Sequence, residues 1–87
     1  MPRFYFHIRD GRDQFDTDGT ELPDEETAHV AAIRLTGAVL QDEARRIATI
    51  DCWTMDVTDA TGRPVYQVGV NVSDRRVSTR GNESERR

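Results

Sequence analysis

The chain has 87 residues, a formal net charge of −4 at pH 7, and 32% charged against 36% hydrophobic residues. That length makes one small domain, which buries only about 60% of its unfolded surface and has no apolar residues to spare. A single cysteine, Cys52, excludes an intramolecular disulfide; no apolar run approaches the roughly 20 residues of a membrane span, and the opening residues alternate too soon for a signal peptide. A soluble, cytoplasmic protein is the expectation.

Arg3 to Arg9 reads as the clearest strand, with Phe4, Phe6 and Ile8 alternating against Tyr5, His7 and Arg9. Asp10-Gly11 signals a turn. A short second strand is expected around Gln14 to Asp16, paired with the first as a hairpin. Asp18-Gly19 supplies a further turn, and a loop then leads to a helix.

Pro23 to Ile50 holds the helical pattern. Asp24 is placed to cap the first free backbone N–H groups, and Glu25 and Glu26 put negative charge at the positive end of the helix dipole. At 100° per residue Ala28, Ala32, Leu35 and Val39 share one side, with Ile33, Leu40 and Ile47 adjoining it. Arg34, Gln41 and Arg45 fall opposite and should be wet. Asp42 and Arg46 have the spacing of an i, i+4 ion pair. Gly37 interrupts the run at a cost of about 1 kcal/mol, and His29 lies at the margin of the apolar side.

Cys52 to Thr58 alternates again, with Trp53, Met55 and Val57 on one side. Asp59 to Pro64 is a turn, with Gly62 able to take a positive φ. Val65 to Val72 forms the last strand, with Tyr66, Val68, Val70 and Val72 on one face and Gln67, Gly69 and Asn71 on the other. The order is β-β-α-β-β. It predicts an α+β two-layer sandwich, one amphipathic helix on one face of a small, mainly antiparallel sheet. Residues 1–72 form the domain. Residues 73–87 are a polar, Arg-rich stretch that cannot bury enough to offset the entropy of ordering, so disorder is expected there.

Charge is unevenly spread. All 12 basic residues are arginine, and half of the 16 acids lie between Asp10 and Glu26. The open sheet face should show Tyr5, His7, Arg9, Thr54, Asp56, Gln67 and Asn71, with Arg75, Arg76 and Arg80 available from the tail. Aromatic and arginine side chains on an open sheet suit single-stranded nucleic acid, but the acidic balance and the lack of a basic stripe weigh against it.

Three residue sets bear on chemistry. Asp16, Asp18, Gly19 and Glu25 align partly with a Ca²⁺-binding loop, but Gln14 stands where the first aspartate belongs. The sequence assigns no metal site on that basis. Cys52 is the one thiol and His7 and His29 the two histidines, while no serine precedes Ser73. No catalytic constellation follows. The glycines are isolated, so no phosphate-binding loop and no cofactor is expected.

Three segments, Met1 to Gly11, Asp18 to Asp24 and Asp56 to Val65, together resemble a family of short bacterial proteins known as a domain of unknown function. The resemblance covers roughly residues 1–72. It implies a bacterial cytoplasmic setting and carries no activity, cofactor or site. A looser likeness, in fold order alone, is to the HicB-type antitoxin fold. The expectation is a non-enzymatic protein-interaction or self-associating module, a homodimer included. A nucleic-acid-binding or antitoxin-like regulator is the alternative, and a weak calcium-binding loop the second.

Overall fold

Alternation of oily and polar residues decides this architecture. In the computed structural model, which describes residues 1–73, β1 (Arg3–Arg9), β2 (Asp13–Gln14), β3 (Thr20–Glu21), β4 (Cys52–Thr58) and β5 (Pro64–Asn71) form one antiparallel sheet. The path is β2-β1-β4-β5, and β3 also pairs with β1. Helices α1 (Glu25–Asp42) and α2 (Ala44–Ile47) intervene between β3 and β4. The expected order of elements and the α+β class are both present. The tail, including Arg75, Arg76 and Arg80, lies outside the described residues.

Strand β4 is the centre. Its inward residues Trp53, Met55 and Val57 are 0% exposed, and they sit opposite Val70, Val68 and Tyr66 of β5. Met55 and Val57 lie across from Ile8 and Phe6 on the other side. Phe4, Ala28, Ala32 and Ile47 complete the buried core. Burying a Phe, Met or Val side chain contributes about 1.5–3 kcal/mol, so these few residues supply much of what a domain of this size has.

The helix starts as its sequence dictates. Asp24 accepts the Thr27 N–H at 2.8 Å and the Thr27 hydroxyl at 2.7 Å. It ends earlier than expected. Glu43 leaves the helical region at φ −119°, and α2 follows as a single turn. The break turns Arg46 away from Asp42: it pairs instead with Glu43 at 2.6 Å and with the fully buried Asp10 carboxylate at 2.8 Å.

The buried side of α1 also differs from the expectation. Leu35 does not face the sheet's core and is 41% exposed, while Thr36 takes a core position. The Thr36 hydroxyl donates to the Ala32 carbonyl at 2.7 Å, so its burial leaves no orphan. Ala28, Ala32 and Thr36 are small, which seats the helix close to β4 and β5 and swings larger neighbours to its flanks.

The hairpin after β1 departs from a simple pair. β2 matches Ile8 and Arg9 with Gln14 and Asp13, then stops. β3 resumes beside Arg3 and Phe4. The β4–β5 turn is held by Asp59. Its carboxylate accepts the Thr61 hydroxyl and the Thr61 and Arg63 N–H groups, and Gly62 takes φ +88°. Arg63 then reaches Glu25 of α1 at 2.9 Å.

Candidate functional site: an open sheet face between two unlike edges

The face away from α1 carries the residues singled out from the sequence. Pairing sets His7, Asp56 and Gln67 in one row across three strands, and Arg9 beside Thr54 in the next. Asp56 is fully engaged: Arg9 Nε donates to one carboxylate oxygen at 2.7 Å and Gln67 Nε2 to the other at 2.7 Å. Tyr5 lies parallel to the His7 ring at 6.4 Å between centroids. Asn71 is opposite Cys52, four residues along β4 from Asp56, or about 13 Å. The structure therefore groups Tyr5, His7, Arg9, Asp56 and Gln67, keeps Thr54 at their border, and leaves Asn71 apart.

Sequence reasoning missed two members. Phe15 is 68% exposed and meets His7 edge-on at 5.6 Å. With Thr58, Gly62 and Pro64 it completes an open cleft of ≈ 510 Å³ that also touches His7, Arg9, Asp56 and Gln67. Its signal was present: a lone large apolar residue in an otherwise polar stretch. Asp16 is the second. One of its carboxylate oxygens accepts the Phe6 N–H at 3.2 Å; the other accepts the N–H groups of Asp18 and Gly19.

Asp16 explains how one edge of the sheet is finished. β1 runs for seven residues, but its outer neighbours β2 and β3 cover only its ends. At the gap, the Asp16 side chain does what a strand carbonyl would do for Phe6. The Asp16 N–H donates to His7 Nδ1 at 3.1 Å, and His7 Nε2 lies 3.2 Å from the Thr58 hydroxyl. Partial burial works against the Asp16 charge, but the three backbone N–H groups outweigh it and hold the carboxyl below its ordinary value. Gly19 closes the loop at φ +71°; a Cβ there would lie 2.8 Å from Arg3 and Tyr5 side-chain carbons.

The other edge is different. Among the described residues β5 pairs with β4 alone. From Pro64 to Ser73 the sequence is Pro-Val-Tyr-Gln-Val-Gly-Val-Asn-Val-Ser, without one charged residue.

Two of the acids aligned with a calcium loop are otherwise occupied: Asp16 holds backbone, and Glu25 is bound by Arg63. Among the described residues no group of three or more His, Cys, Asp or Glu side chains is arranged to hold a metal ion. Cys52 is exposed and free, and the structure brings neither histidine to it. His7 lies opposite Asp56, while His29 stacks on Tyr66 at 4.0 Å on the helix side. No described helix is long and apolar enough to cross a membrane.

No curated protein and no solved structure matches the chain. A family does, over residues 3–71, which span every strand and both helices. The chain belongs to the DUF6894 family, a domain of unknown function.

Proposed function

We propose that this domain is a non-enzymatic protein-binding module that works by adding a strand to the β5 edge. The observation that carries the reading is the charge-free run from Pro64 to Ser73 on a strand with one unpaired side among the described residues. Unpaired edges template further pairing, and proteins that avoid it place charges, bulges or covers there. Among the described residues the β1 edge is covered by β2, Asp16 and β3, whereas β5 has only Pro64 at its start and a register shift against β4 that leaves Val65 as an extra residue; Tyr66 to Asn71 carry no such protection. Main-chain hydrogen bonds would supply affinity, and alternate side chains selectivity.

The test uses a synthetic peptide copying residues 64–72 as the probe. Titrated into the labelled full chain, it should shift the amides of Val65 to Asn71 and slow their hydrogen exchange, with Phe6 and Ile8 unmoved. Shifts confined to the open face, or none at β5, would overturn the reading.

A second reading, single-stranded nucleic acid on the open face, draws on the exposed Phe15 beside His7 and Tyr5. The Arg9 guanidinium is already matched to Asp56, so stacking rather than charge would dominate. An oligonucleotide titration at low salt that quenches nothing and shifts neither Tyr5 nor Phe15 would remove it.

A further inference from the structure

We propose that the strand added to β5 comes from a second copy of this chain, and that pairing brings the two α1 helices together along Ile33, Gly37 and Leu40. This rests on the edge-strand reading above and names its partner. The two flanks of α1 are unlike. Ala31, Leu35 and Ala38 turn toward Phe6 and Leu22 on the β1 side. At 100° per residue His29, Ile33 and Leu40 fall on the opposite flank, and the stacking of His29 on Tyr66 fixes that flank over β5.

Around Ile33 and Gly37 that flank is apolar and uncovered; His29 and Leu40 are half-buried, and the exposed Glu26 shares the flank nearer the N-terminus. Ile33 is 54% exposed. Gly37, one turn on, is exposed, and a Cβ added there meets nothing within 4 Å. Glycine weakens a helix interior, and nothing inside the protomer asks for it here. A neighbouring helix would.

The spacing fits. Two β5 strands pairing antiparallel about a two-fold axis perpendicular to the sheet keep both helices on one side of the joined sheet. Strands lie about 4.8 Å apart. α1 packs on both β4 and β5, so it stands about 5 Å from the axis, and the two helices about 10 Å from each other. Packed helices lie about 8–10 Å apart, closest where a small residue stands at the contact. Strand pairing alone buries mainly backbone, whereas a stable interface buries about 800 Å² per partner; the α1 flank supplies apolar area. A strand from an unrelated protein would leave Ile33 in water.

Sedimentation of the full chain over a concentration range tests this, with hydrogen exchange read at each concentration. The wild type should dimerise and protect Val65 to Asn71 as it does so. Ile33→Asp and Gly37→Leu should each raise the dimer Kd tenfold or more, with circular dichroism unchanged. A dimer with protected β5 amides whose Kd moves less than twofold in both variants would overturn the helix contact and leave strand pairing standing. A wild type that stays monomeric while the residue 64–72 peptide still binds β5 would overturn the second copy as partner. Monomer without peptide binding would remove both readings.

Discussion

The two edges of this sheet are finished in opposite ways. Along β1, two two-residue strands and one aspartate side chain share the work of a single missing strand. Along β5, eight residues run without a charge and, among the described residues, without a strand on the side away from β4. A chain in which about one residue in three is charged (32%) could easily have placed one there. The difference teaches where the sheet is closed and where, among the described residues, its backbone is left open.

Four changes break or sharpen this comparison, taken from the largest expected effect. Trp53→Ala removes the fully buried anchor beneath both edges; it should cost about 3–5 kcal/mol, and chemical denaturation should show both edges lost together. Asp16→Ala should act on one edge only. It orphans the Phe6 N–H, and a cost of about 1–3 kcal/mol is expected. Faster exchange at Phe6, with β5 unchanged, is the result that checks it.

Gly37→Ala should raise the stability of the isolated protomer by about 1 kcal/mol in thermal melts, because the added methyl meets nothing. Gly69→Lys sets a charge on the free edge, again where a Cβ has open space. Its effect on protomer stability should stay within about 0.5 kcal/mol, while binding of the residue 64–72 peptide is lost.

Acid separates the edges in another way. Asp16 has its folded-state carboxyl held below 3.8, and Asp59 is lowered to about 2, chiefly by the Thr61 hydroxyl. A depressed carboxyl pKa stabilises fully above the unfolded value and loses that contribution as pH falls. Exchange at Phe6 and at the β4–β5 turn should therefore quicken as pH drops from about 4 toward 2, after correction for intrinsic rates. Within β5 itself no carboxylate responds. In Asp59→Asn the turn's share of this pH dependence should vanish.

Much of the fold was legible because parity is a strong signal. Trp53, Met55 and Val57 could only share a face, and their neighbours in β1 and β5 followed. Asp24 and Gly62 carried their caps and turns in plain view. Three features were not legible. Thr36 in the core is invisible to a rule that sorts by polarity, since a hydroxyl bonded to its own helix passes as apolar. The division of β2 from β3 depends on one carboxylate replacing a strand, which no periodicity encodes. The end of α1 at Asp42 carries no glycine or proline, and Arg46 finds Asp10 only in three dimensions. The open face was legible in its members but not in its pairing: nothing local says that Asp56 is held between Arg9 and Gln67.

A strand edge without charge recognises main chain, and main chain is common to every polypeptide. Any close relative in the same cell that presents a similar bare edge would be accepted on those hydrogen bonds alone. In the proposed pairing, discrimination between like and unlike chains would fall to the side chains above the junction, so sequence drift along the helix flank would sort mixed assemblies into separate ones without altering the sheet.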